Sequence, residues 1–144
     1  MRHRNGDKPA FVDLRINSWY QNGTLHRDND KPAVVTGDIE EWYQNGRLHR
    51  AGDKPAIITP YEQIWIQNGQ RHRDGDLPAV INRDRQEWYH KGELHRDGDQ
   101  PAIISSGIYK AWYKNGVRHR EGEKPAVIDE NDIKYWYVNG CLKE

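Results

Sequence analysis

The sequence predicts an all-β fold: an elongated, twisted antiparallel sheet of six stacked β-hairpin repeats. Three observations predict it. Tryptophan recurs at Trp19, Trp42, Trp65, Trp88, Trp112 and Trp136, at spacings of 23, 23, 23, 24 and 24 residues. His3, His26, His49, His72, His95 and His119 keep that rhythm, and so do Pro9, Pro32, Pro55, Pro78, Pro101 and Pro125. Within each period, β-branched and aromatic stretches alternate with Gly and Asn, the pattern of short strands joined by turns. The unit reads H-R-x-G-D-x-P-A-(V/I)-(V/I), a variable segment, then W-Y-x-N-G-x-L. This frame makes residues 1–144 a single repeat domain with units at 3–25, 26–48, 49–71, 72–94, 95–118 and 119–142. His90 and Pro60 stand outside the pattern.

The length variation locates the first turn. His to Pro is always six residues and Trp to the next His always seven, whereas Pro to Trp is ten in four units and eleven in the last two. Insertions are tolerated at turns and not inside paired ladders. Segments such as Thr36-Gly37-Asp38 and Ser105-Ser106-Gly107 therefore turn the chain between two strands. The Asn-Gly pair after W-Y is a tight-turn signal, with Lys91-Gly92 the one departure. The glycine of H-R-x-G-D, replaced by Asn29 in the second unit, implies positive φ, because Gly and Asn share tolerance for left-handed backbone. Identical units prefer equivalent surroundings, so an even count of two main strands per unit is expected. The L-H-R-x-G-D stretch then forms a structured connector, with room for a short strand of its own.

Strand alternation separates two faces. Ile16, Ser18 and Tyr20, and their counterparts Ile39, Glu41 and Tyr43, make the drier face; each Trp points the other way and needs a cover. Strands are ~4.8 Å apart, so equivalent Trp rings lie ~10 Å apart, beyond the ~4.5–7 Å of a direct ring contact. His, Pro or Leu of the connector is expected to interleave.

Composition narrows the function. Lys+Arg and Asp+Glu are 22 each, so no net charge draws the chain to nucleic acid or to an anionic membrane. Cys141 is the only cysteine, so no disulfide forms within the chain and a reducing compartment is expected. Charged residues follow Met1 at once and no apolar stretch reaches transmembrane length, which reads as a soluble, cytoplasmic protein.

The recurring His, Arg and Asp invite a metal reading. Equivalent histidines ~10 Å apart cannot share one zinc ion, whose bonds to nitrogen are ~2.0–2.1 Å. Hydrogen-bonded turn histidines are expected instead, and no metal or cofactor. Arg50 and Asp53 read as a local pair that orders the connector. All six units keep Trp while its neighbours vary, which points to folding rather than to ligand contact. An enzyme needs one unequal constellation in a cleft; here the acids and bases repeat identically, so no catalytic residue and no small-molecule substrate are expected.

The stretch W-Y-x-N-G-x-L-H-R-x-G-D resembles the MORN repeat, whose signature is W-x-x-G-x-x-H-G-x-G with a 23-residue period. Trp42, Gly46, His49 and Gly52 fall on matching positions, and the likeness covers nearly the whole chain. Arg50 departs from the family's usual Gly, and the following P-A is not typical. The variant looks like one found in proteins of large DNA viruses of amoebae, and is similar to bacterial antitoxin-like repeats. The resemblance implies a non-catalytic scaffold for protein–protein interaction, in a virion or in host cytoplasm. The alternatives are a phospholipid-surface module and an antitoxin-like inhibitor.

Recognition is expected where units deviate. Tyr61 and Ile64 mark the most deviant stretch, 59–66. Ile133, Tyr135, Tyr137 and Leu142 place apolar groups beside the open edge of the last unit. A protein partner, or a second copy, is expected to dock there.

Overall fold

The computed structural model describes the backbone of residues 8–13 and 15–143, and the side chains of all of these except 11–13. His3 lies outside the described residues. Strands, turns and bends account for all regular structure among them, and no helix occurs. They fall into two compact units, Met1–Gln70 and Arg71–Glu144.

Each unit holds six sheet strands, every one antiparallel to its neighbour. In the first these are Phe11–Asp13, Ile16–Ser18, Val34–Thr36, Ile39–Glu41, Ile57–Ile58 and Glu62–Ile64. In the second they are Val80–Asn82, Arg85–Glu87, Ile103–Ser105, Tyr109–Ala111, Val127–Ile128 and Lys134–Tyr135. Each repeat thus gives two strands to the sheet. The first turn lies where the length variation places it. Thr36 faces Ile39 across Gly37-Asp38, whereas Ser105 faces Tyr109 across one residue more.

The second strand does not run on through the tryptophan, as simple alternation had implied. Trp42 donates its backbone N–H to Ala56 O of the next repeat (2.9 Å) and accepts from His49 N (3.0 Å). The backbone changes partner at this residue. Beyond it Tyr43–Gln44 folds back on Arg47–Leu48 in a separate two-residue hairpin. Asn45 and Gly46 close that hairpin with φ of 49° and 77°, the double left-handed geometry of a type I′ turn. Lys91 adopts the same conformation, φ 47°, without asparagine's tolerance for it. In the connectors Gly52 has φ 75° and Asn29 φ 61°, as their shared tolerance implies.

The sheet faces divide by register. Ser18, Val34, Glu41, Ile57 and Ile64 stand in one row across the first unit. Val80, Glu87, Ile103, Ala111, Val127 and Tyr135 do so across the second. This is the drier face. Ile103, Ala111 and Val127 form its core in the second unit, with Leu94, Tyr109, Tyr113, Tyr135 and Tyr137 packed against them. The opposite row alternates aliphatic and polar residues, as in Ile104, Lys110, Ile128 and Lys134. That alternation suits a surface in contact with water.

Candidate interaction site

Each closed junction between repeats is built around one tryptophan. The Trp42 indole N–H donates to Asp30 O of the preceding connector (3.2 Å). Arg50 lies flat over the ring, its Cζ 3.7 Å from the centroid. The edge of the same guanidinium reaches Asp30 through Nε (2.7 Å) and Nη2 (3.2 Å), and its Nη1 donates to Pro55 O (3.1 Å). Lys54 adds a second cation on Asp30 at 2.7 Å. Trp88 with Asp76, Arg96 and Pro101 repeats the arrangement, as does Trp112 with Asp99, Arg120, Pro125 and Lys124.

Two expectations are corrected here. The cover of the tryptophan is arginine, not His, Pro or Leu. The carboxylate of Arg50 is Asp30, twenty residues earlier, not Asp53 of its own connector. Both follow from one geometry. A guanidinium stacked on an indole offers its planar fork sideways. Here the fork meets the connector that already takes the indole N–H.

The alanine of P-A was not singled out in the sequence. Ala33, Ala56, Ala79, Ala102 and Ala126 are fully buried. The N–H of each bonds within its own hairpin, as Ala126 N does to Tyr135 O (2.8 Å). The carbonyls of Ala33, Ala56, Ala102 and Ala126 accept the preceding repeat's Trp N–H. A residue bonded on both sides in a space that fits one methyl explains the recurring Ala.

The histidines tie the start of each repeat to its end. His26 Nδ1 accepts the backbone N–H of Asn45 at 3.1 Å, and His49, His72, His95 and His119 do the same for Asn68, Lys91, Asn115 and Asn139. Each imidazole thus holds the tight turn at the far end of its own repeat. With Nδ1 accepting, the ring hydrogen sits on Nε2, which meets Asp28, Asp74 and Asp97 in three of them. His90, outside the repeat pattern, stacks its edge 5.0 Å from His72. Among the described residues, no group of three or more His, Cys, Asp or Glu is placed to hold a metal.

These junctions set the carboxylates. Hydrogen bonds from Arg50 and then Lys54 hold Asp30 well below the usual carboxylate range; Arg120 and then Lys124 do so for Asp99. Asp76 is lowered by Arg96 alone, with Gln100 at the position of those lysines.

The last repeat offers the same parts in different surroundings. Position eight after each earlier Trp holds Arg27, Arg50, Arg73, Arg96 and Arg120, but Glu144 follows Trp136 at that spacing. Among the described residues no guanidinium covers Trp136, and it is 39 % exposed where Trp42, Trp65, Trp88 and Trp112 are 6 %. Its indole bond to Glu123 O stretches to 3.4 Å. Strand Lys134–Tyr135 pairs with Val127–Ile128 and, among the described residues, with nothing on its other side. Ile133 (50 %) and Leu142 (57 %) are exposed nearby.

The candidate binding residues therefore separate. Ile133 and Leu142 lie on the surface of this end. Tyr135 and Tyr137 are half-buried against the core, and Tyr135 donates its hydroxyl to Asp129 at 3.3 Å. Tyr61 stands 83 % exposed at a hairpin tip, while Ile64 is 7 % exposed and belongs to the core. Trp136, read from sequence as purely structural, joins the exposed group. Glu144 in place of arginine was the signal that could have found it. No protein-family model, curated protein or solved structure matches the chain.

Proposed function

We propose that this protein is a non-catalytic repeat scaffold of MORN-like type that engages protein through the open end of its last repeat. The observation that carries the reading is the exposed Trp136 beside the one-sided strand Lys134–Tyr135. A large aromatic next to free backbone donors and acceptors, flanked by Ile133 and Leu142, is the composition of a protein-binding patch. The chemistry of the other polar groups supports a non-catalytic role. The recurring His, Arg and Asp meet one another and the backbone within and across repeats, and the shallow clefts between connectors repeat with nearly the same lining.

The test is affinity capture with mass spectrometry, comparing the parent with Ile133→Lys/Leu142→Lys. Both residues are exposed, so the variant leaves the fold intact. Tyr135→Glu is a poorer choice, because Tyr135 packs on the core. Specific partners of the parent should be lost from the double variant. Equal recovery by both proteins would refute docking at this end.

A further inference from the structure

We propose that the occupant of this open end is the first repeat of a second copy, so that copies add head to tail. The inference rests on the docking reading above and names its partner. The closed junctions show what covers the equivalent surface. At Trp19, Trp42, Trp88 and Trp112 the Trp N–H donates to an alanine carbonyl of the next repeat, at 2.8–2.9 Å. Beyond that alanine an aliphatic strand pairs antiparallel, as Val127 with Ala111 and Ile128 with Lys110. The bond from Trp112 N to Ala126 O flanks the Ala111–Val127 pair. In an antiparallel ladder that makes the next pair, Lys110–Ile128, the one that exchanges both backbone bonds.

The first repeat presents the matching edge. Ala10 N donates to Ser18 O at 2.9 Å, as Ala126 N does to Tyr135 O. Strand Phe11–Asp13 pairs with Ile16–Ser18 and, among the described residues, has no strand on its other side. Laid on the open end in the register of the closed junctions, Val12 falls opposite Lys134 and Phe11 opposite Tyr135, and Ala10 O meets Trp136 N–H. Charge complements this register. Glu123 holds the place of Asp30 and Asp99, which take Lys54 and Lys124 at 2.7 and 2.8 Å. Lys8 holds the place of those lysines. Lys143 N already bonds Trp136 O at 2.8 Å, as the connector histidines do, so the incoming copy supplies the junction from Lys8 onward. The two contacting surfaces differ, so the contact is heterologous and propagates instead of closing on a two-fold axis.

Sedimentation velocity over a range of concentrations tests this with the full chain and two edge variants. Lys134→Pro and Val12→Pro each remove one outward N–H of an edge strand and leave the hairpin bonds in place. The parent should form a concentration-dependent series beyond the dimer. Each variant alone keeps one usable end and should stay monomeric, and an equimolar mixture should give a dimer and stop. As a second pair, Lys8→Glu and Glu123→Lys should each weaken assembly about fivefold, and the combined variant should restore it. Three results would overturn the inference: a parent monomeric throughout, a Val12→Pro protein that dimerises by itself, or a mixture that stays monomeric. The first of these leaves docking of a different protein to be decided by the capture experiment, so the two readings fail separately.

Discussion

Trp112 and Trp136 occupy the same place in successive repeats, yet one is 6 % exposed and the other 39 %. Their own strands do not explain the difference, since each follows a paired sheet strand and precedes a two-residue hairpin. What differs is what comes next. Trp112 has Ala126 to accept its amide, Arg120 on its ring and Asp99 to hold that arginine. Trp136 has a lengthened indole bond and Lys143. Burial of a repeat's central residue is thus conferred by its neighbour, the nearest-neighbour logic of repeat proteins.

The most severe test replaces the two tryptophans. Trp112→Ala should cost ~3–5 kcal/mol, the usual range for emptying a buried aromatic site. Trp136→Ala should cost less than half of that, and urea midpoints of the two variants check the ranking. Equal losses would erase the distinction between closed and open junctions.

A smaller effect is expected in the connector that closes a junction. At Gly52 an added Cβ meets nothing within 4 Å, so the cost of Gly52→Val arises from φ 75° alone. It should reach at least ~1 kcal/mol. Gly52→Asn should be mild, because Asn29 already adopts this conformation. Thermal unfolding of the two variants separates backbone strain from lost packing.

Acid should loosen the closed junctions and spare the open one. Asp30, Asp76 and Asp99 are lowered in the fold by their arginine partners. A carboxylate lowered on folding stabilises above its unfolded pKa and loses that contribution as pH falls through the folded value. The window therefore lies below roughly pH 4. These carboxylates are 42–60 % exposed, so each contributes no more than ~1 kcal/mol. In Asp30→Asn/Asp99→Asn the unfolding midpoint should fall less steeply between pH 4 and pH 2 than in the parent; parallel curves would count against the pairing.

The smallest effect concerns the turn held by His72. Lys91 sits at φ 47° where its equivalents are asparagines. Lys91→Asn should raise stability by several tenths of a kcal/mol, read as a higher urea midpoint.

The repeat, its strands and its tight turns were legible because periodicity and turn chemistry are local signals. Gly52 and Asn29 announce positive φ by being the residues that tolerate it. The partners across junctions were not legible. In a repeat, Asp30 and Asp53 are the same letter in the same context, and nothing in the sequence says which of them Arg50 will reach. Local pairing is the simpler guess, and the stack on Trp42 overrules it. The hairpin after the tryptophan was half-visible: Asn-Gly announced the turn, but two-residue strands are too short to show alternation. At the last repeat Ile133 and Leu142 were legible as surface, because their apolar side chains follow turn residues. Ile64 was not, because an unusual residue in a repeat fits the core as readily as the surface.

The junction bonds also fix how each unit answers to mechanical load. Within a unit, strands lie side by side, and the bonds from Trp N–H to Ala O run across them. A force applied along that direction loads the junctions in series and opens them one at a time, as a zip and not as a sheared block. Each opening releases one period of 23 or 24 residues, about 80 Å of chain at ~3.5 Å per residue. Each unit lengthens in nearly equal steps, yielding first where the bonds across a junction are fewest.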